Sequence, residues 1–589
     1  MPNPSPARKT APKKDGRWKS ELPAGAIRSQ LEDILASTEF IKSERLRRFL
    51  QLTVGWTLAG RAGQLKEYVL GRDVFDRGPS YDPRADSIVR VEARRLRTKL
   101  QRYYETHDSA PILIEFPQGS YIPVFRKKPT MSLASPSGPL PTTCIAVLPF
   151  VNLGPDADKD LLCEGITEAI LHKLATIPDL QVVARTSVYR FQGKTGDVRK
   201  IGQILRAGTV VEGSVRKAGN QLRVSAMAVK TADGYSLWSG TFQRKVANVF
   251  AIQDEIASAV AHSLRLRLGS PAPKKIVNLE AYKLYLKGRH HWNADRLEAA
   301  IADFSRACSL FPDYAPPHAG LADAYSLLSF LGLARPSDVV PKARQAAMKA
   351  LRLDPQMAAA HVSLGALTCW HDWNWDQGAK LLRTALELEP SSVMALTYYG
   401  AQFVNRRRYS EATILLEKAV NLDPLSVHTH WMLGWAYYLE RKYDKAIDWL
   451  KRGLELSGGW RSRVLLGWVY LRKLKYTEAI EEFQKSLEEP GGNLAISGLG
   501  EAYGCSGKVR QARDILERLD ALSRTTYVPA TSLVYVYTGL GDWDRAFAWL
   551  EQGYREHSTG LSLLSNDERY DPVRSDPRFK SLLTRVGLV

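Results

Sequence analysis

The stretch "DSIVRVEARRLRTKLQRYY", residues 86 to 104, sets Arg90, Arg94, Arg95, Arg97, Lys99 and Arg102 against only Asp86 and Glu92. Such a set does electrostatic rather than covalent chemistry. A guanidinium fork takes phosphate oxygens, or reads guanine through two parallel N–H donors. Val89, Ala93, Leu96, Leu100 and Tyr103 recur at steps of four, three, four and three, one face of a 3.6-residue period. The cations must therefore stand on the other faces, Arg90, Arg94 and Arg97 on one and Arg95, Lys99 and Arg102 on another. Two readings follow: a solvated helix face, which would normally mix its signs, or a surface for a polyanion. Arg126 and Lys127, farther along the chain, suit phosphate contacts or the start of a linker.

Other chemistry is poorly represented. Gly193-Lys194-Thr195 resembles the end of a phosphate loop, but such a loop needs a glycine where Val188 stands. His290, His291, His428 and His430 lack carboxylate or Cys partners at ligand spacing, so packing or surface roles are expected. Cys144, Cys163, Cys308, Cys369 and Cys505 form no CxxC pair, which predicts neither disulfide framework nor metal site and fits a reducing cytoplasm. No catalytic residues, no cofactor and no enzyme activity are expected.

The elements that must position the basic set are legible from charge and punctuation. The net charge is +20, and residues 1–130 hold 25 Lys and Arg against 15 Asp and Glu, half of the excess. A locally basic region of this kind points to nucleic acid or an anionic membrane surface. Residues 1–21 read as a basic disordered arm without the apolar core of a signal peptide. The uncharged run from Pro129 to Pro155 carries too much Pro, Ser, Thr and Gly for a membrane helix, so no membrane association is expected.

Within 22–128, "RLRRFLQLTVGWTLAGR" is an amphipathic helix, "QLKEYVLGRDVF" a short one, and "YDPRADSIVRVEARRLRTKLQRYYE" a long one started by Asp82 and Pro83. "APILIEFPQGSYIPVFR" then reads as two strands around "PQGS". Helices followed by a hairpin make a winged helix-turn-helix. The "RLRTKL" run at Arg95 to Leu100 and the "QGSY" turn with Gly119 and Tyr121 resemble the OmpR/PhoB-type winged-helix effector domain, over residues 27 to 126. That resemblance implies binding of double-stranded DNA through the long helix, and control through an aspartyl-phosphate receiver is not expected.

After a Pro- and Ser-rich linker at 129–143, strands and helices alternate through 144–270 and end in a three-strand meander, a small α/β domain. "IAVLPF", "EGITEAI", "VVARTSV", "VVEGSVRKAGNQLRV" and "VFAIQDEIA" resemble the TolB N-terminal-like domain that follows the winged helix in CadC-type regulators. CadC carries a membrane helix between these domains; the linker here favours a cytoplasmic regulator.

From residue 278 a small residue recurs at Gly288, Ala322, Gly365, Gly400, Gly434, Gly467 and Gly500, then Val534, at spacings of 34, 43, 35, 34, 33, 33 and 34. A second small residue stands twelve positions later at Ala300, Ala412, Ala446, Ala479, Ala512 and Ala546, and Pro312, Pro355, Pro390 and Pro424 end the early units. This is the tetratricopeptide period. Antiparallel helices approach closely only where side chains are small, so 278–589 is expected to be an all-α solenoid that binds a protein or peptide. Trp370, Trp373 and Trp375 crowd one turn, where packing is the favoured role. "RYDPVRSDPRFKSLLTRVGL" resembles the capping tail of such arrays.

The chain is thus expected to be multidomain: winged helix-turn-helix, small α/β domain and tetratricopeptide solenoid. The expected function is a cytoplasmic DNA-binding transcriptional regulator, with homodimerisation left open. The rival is a non-enzymatic scaffold with a degenerate winged helix.

Overall fold

The computed structural model describes residues 22–127, 143–263 and 278–588, apart from short interruptions at 38, 42, 79–80, 107–111, 118, 154–157, 194–195, 219–220, 246–248, 294–295, 457–458 and 490–492. The expected arm at 1–21 and nearly all of the linker at 129–143 lie outside the described residues. The chain divides into two compact units, 1–136 and 137–589.

The first unit contains α1 (Ala24–Ala36), α2 (Glu44–Leu58), α3 (Glu67–Phe75), α4 (Ile88–Thr106), and the antiparallel strands β1 (Ile112–Glu115) and β2 (Val124–Lys127). Apolar faces of all four helices and the hairpin meet in one core around Phe49, Leu70, Leu96 and Ile114. α1 was not anticipated; its Ile27 and Ile34 are fully buried in that core. The start of α4 also differs from the expectation. Asp82 accepts the Arg84 amide within a turn, and the Ile88 amide goes to Asp86 instead. The Tyr81 hydroxyl donates to the Asp86 carbonyl while its ring lies against Gly71, where a Cβ would fall 2.2 Å away. Burying Tyr81 holds residues 82–85 out of the helix. The hairpin loop is longer than "PQGS", because β1 and β2 pair only from Glu115 opposite Val124 outward.

The second unit opens with a mixed sheet of order β5-β3-β6-β7-β8, built from β3 (Cys144–Val147), β4 (Val151–Asn152), β5 (Gln181–Val182), β6 (Thr209–Ala218), β7 (Gln221–Lys230) and β8 (Ser236–Lys245). β3 is parallel to β5 and β6, and β6 to β8 form the antiparallel meander. Its helices are α5 (Asp158–Ala175), α6 (Arg185–Val188), α7 (Val198–Leu205) and α8 (Val249–Ser263).

Sixteen helices from Leu279–Asn293 to Trp543–Arg555 follow as eight antiparallel pairs. The recurrent glycines lie at their crossings, as at Gly400, where a Cβ would fall 2.9 Å from Leu416. A backbone-to-backbone contact lies off the counted positions. Gly504 and Gly539 bring the helices Asn493–Cys505 and Ala530–Gly539 together backbone to backbone, a Cβ on Gly539 falling 2.6 Å from the Glu501 carbonyl oxygen. Backbone cannot rotate aside, so Gly539→Ala should destabilise the array by about 1–3 kcal/mol in urea unfolding. Unchanged stability would show that the two helices can separate freely.

The α/β domain is seated on turns of the array. The Ala184 amide donates to the Leu422 carbonyl at 2.7 Å, the Ser187 hydroxyl donates to Asp423 at 2.6 Å, and Ser391 donates to the Leu180 carbonyl at 2.9 Å. Burial lifts the Asp423 carboxyl to about 6 even though it accepts that hydroxyl. A folded value above the unfolded one, about 3.9, means that this contribution is full below the unfolded value and lost as pH rises through 6. Asp423→Asn keeps an uncharged acceptor. Its stability relative to the parent should therefore rise by about 1 kcal/mol between about pH 5 and about pH 8, whereas parallel pH profiles would contradict the assignment.

After the eighth pair the tail turns back along the first helices of the pairs. Ser565 and Asn566 donate to the carbonyls of Asn405 and Val404, and the Trp375 indole donates to the Val586 carbonyl at 2.9 Å. Trp370, Trp373 and Trp375 are all buried, Trp373 stacked on Tyr554 and His557. The tail therefore covers inner surface that an open solenoid would present to a peptide.

Candidate nucleic-acid interface

The buried stripe of α4 fixes which cations can face outward. Val89, Ala93, Leu96, Leu100 and Tyr103 are all at most 3 % exposed, so the opposite side of the helix is solvent-facing. Val91, Arg94, Arg95, Thr98 and Arg102 occupy that side, all exposed. Among the described residues no carboxylate or carbonyl takes the Arg94 guanidinium. Arg95 donates to Glu92 at 2.8 Å yet stays two-thirds exposed.

The structure does not keep together the two triplets expected from the period. Arg90 and Arg97 lie on one flank and are tied to their own unit. Arg90 sits 3.0 Å from Glu67 and donates to the Pro83 carbonyl. Arg97 donates to the carbonyls of Phe116, Pro117 and Ser120 at 2.9 to 3.0 Å, so it holds the hairpin loop in shape. Lys99, on the other flank, donates to the Glu39 carbonyl and the Ser43 hydroxyl, both at 2.5 Å. Arg126 projects from β2 toward Glu115, 3.7 Å away, and is exposed. Lys127 ends β2, and its side chain lies outside the described residues.

Val91 and Thr98 were absent from the expected set. The available signal was Val91 itself, an apolar residue out of phase with the buried stripe and 46 % exposed. The flank beside Arg90 is further organised by Tyr121, whose hydroxyl is pushed up to about 12 by burial and by the Glu67 carboxylate. The phenol is therefore neutral, and Glu67 carries the charge that Arg90 answers.

Elsewhere, His291 meets Asp303 at 3.0 Å, a partner hidden in sequence because it comes from the opposite helix of its pair. His428 stacks on Trp431, and burial with nearby Arg461 pushes it down to about 4. Among the described residues there is no group of three or more His, Cys, Asp or Glu suited to a metal ion, and no helix long and apolar enough to cross a membrane.

Against known proteins, residues 402–459 match the tetratricopeptide repeat family model. Those residues are tetratricopeptide repeats, and the helix pairs on either side of them continue the same antiparallel pattern. A Rhizobium meliloti (strain 1021) protein provisionally named adenylate cyclase 3 is 31 % identical over 257 residues, covering 42 % of this chain and 37 % of that one. Transcriptional regulator HilA of Salmonella typhimurium (strain LT2) is 23 % identical over 278 residues, covering 46 % of this chain and 49 % of that one. The chain thus spans less than half the length of either, and neither name carries an activity onto it. Among solved structures, human IFIT1 in a dimer with PPP-AAAA is 18 % identical with a TM-score of 0.38, covering 53 % of this chain and 79 % of that one.

Proposed function

We propose that this chain is a cytoplasmic, non-enzymatic, DNA-binding transcriptional regulator of winged helix-turn-helix type, whose tetratricopeptide array receives a protein or peptide signal. The observation that carries the reading is the solvent side of α4, where Arg94, Arg95 and Arg102 surround Val91 and Thr98 while the opposite stripe is anchored in the core. A helix held this way can enter a major groove, its Arg side chains meeting phosphates or guanine and its Val meeting a thymine methyl. Arg97 and Lys99 support it from the flanks by fixing the hairpin loop and the end of α1's loop. The partial similarity to a protein named as a transcriptional regulator agrees with this.

The middle domain follows the TolB N-terminal-like pattern and couples mechanically to the array through Ser187 and Asp423. A homodimer on repeated half-sites fits DNA readers of this type. The deciding experiment is binding of the purified chain to a duplex from the promoter of its own gene against a scrambled duplex at two salt concentrations. Preference for the promoter with loss at higher salt supports the reading. Equal weak binding to both would favour the second reading, a scaffold, which rests on the tetratricopeptide match.

A further inference from the structure

The meander of the mixed sheet is covered on one face and open on the other. Leu222, Val224, Ala226 and Ala228 of β7 are buried on the side where α5 and α8 pack, and the residues between them point away from it. Register arranges the open side in rows. Glu212 lies opposite Met227, Ser214 opposite Ser225 with Thr241 next, and Arg216 opposite Arg223. Val151 of β4 joins the middle row beside Ser214, and Val151, Leu153 and Met227 are all exposed apolar side chains. The charges are sorted along the strands. Arg216 and Arg223 are exposed and directly opposed, an arrangement that costs a sheet stability, and among the described residues no carboxylate answers either. Glu212 in turn takes no described cation, and it stands four residues away along β6, roughly 13 Å by strand rise. Between the two ends the Ser225 and Thr241 hydroxyls satisfy each other at 3.2 Å.

We propose that a second copy of this chain docks on the open face, sheet against sheet, about a twofold axis that crosses the strands at the Ser214–Ser225–Thr241 row. Such an axis lays β6 on the other copy's β6 and reverses the order of the rows. Glu212 of each copy then meets Arg216 of the other, and Met227 meets the aliphatic stem of Arg223. Arg223 lies one strand spacing, about 4.8 Å, from that same carboxylate. The row on the axis faces itself, and its small Ser and Thr side chains let two sheets close to about 10 Å. A twofold along the strands would set Arg against Arg, so charge selects the first. An acidic partner of another kind would answer the Arg pair and repel Glu212, whereas a second copy answers both ends. Four strands over about seven residues offer roughly 400 Å² per copy, about half of one side of a standard interface, so the association is weak. This gives the homodimer proposed above a surface, and it rests on the second unit alone, independent of DNA binding.

The test is sedimentation velocity of the full chain without DNA, from about 1 to about 300 µM, where a monomer–dimer equilibrium with Kd of about 10–100 µM is expected. Arg216→Glu and Glu212→Arg should each weaken association about tenfold or more, because each sets like charges across the axis. Both substitutions in one chain exchange the signs of the pair and should restore association to within about threefold of the parent. Ser225→Trp, which props the sheets apart at the axis, should abolish the dimer. Melting temperatures should hold in all of these variants, since the altered side chains lie on the open face and outside the core. A chain that stays monomeric throughout the range, a dimer that Arg216→Glu leaves intact, or a folded double variant no better than the single ones would each overturn the proposal.

Discussion

Replacing Arg569 by Ala should cost the array about 3–5 kcal/mol and release the tail, the largest loss expected from a single side chain here. The Arg569 side chain is 3 % exposed. It donates to both carboxylate oxygens of Glu501 at 2.9 Å and to Asp567 at 2.6 Å, with its guanidinium 3.8 Å over the Tyr535 ring. Arg472 reaches Glu501 from the array side. Burial alone would lift the Glu501 carboxyl, yet Arg472 and Arg569 outweigh it and hold it below the usual carboxylate range. Removing Arg569 leaves the buried Asp567 without its cation and Glu501 with only one. The loss then comes from uncompensated charge rather than from a missing contact. Arg569→Lys should rescue only in part, because an ammonium cannot match the fork geometry. Chemical unfolding with a probe on the C-terminus measures both effects. A tail that stays seated with unchanged stability in Arg569→Ala would show that this cluster does not fasten it.

The second large effect concerns α4. Arg94→Ala should weaken binding to a specific duplex by about 1–3 kcal/mol, and by about one fewer released counterion if Arg94 meets phosphate. The melting temperature of residues 22–127 should hold, because Arg94 is exposed and no described carboxylate or carbonyl takes its guanidinium. Arg97→Ala should behave differently. It removes donors to three loop carbonyls, so lost stability should accompany lost affinity. Paired melting and salt titrations separate a side chain that touches DNA from one that shapes the domain. If Arg94→Ala left affinity and salt slope unchanged while Arg97→Ala lowered affinity at constant stability, the outward side of α4 would not be the contact surface.

What the sequence determined by itself was periodicity. The α4 stripe and the spacing of Gly288, Gly400 and Gly434 are set by a helix repeat and by the room that two crossing helices leave, and both are local. The same locality misled at Asp82, a good cap on its own, because the burial of Tyr81 against Gly71 lies ten residues from its cause. Local reading also could not divide the cations of α4. Arg94 and Arg97 are equivalent in charge and period, and only the hairpin carbonyls, which reach Arg97 from about twenty positions away, assign one to solvent and the other to the fold. Likewise Arg569 and Glu501 become partners, Asp423 becomes a buried seat for Ser187, and Trp373 and Trp375 become buried only when the array curves and its tail returns. Charge pairing and enclosure depend on distances between segments far apart in the chain. Those distances follow from the summed angles of many helix crossings, which no single stretch of residues encodes.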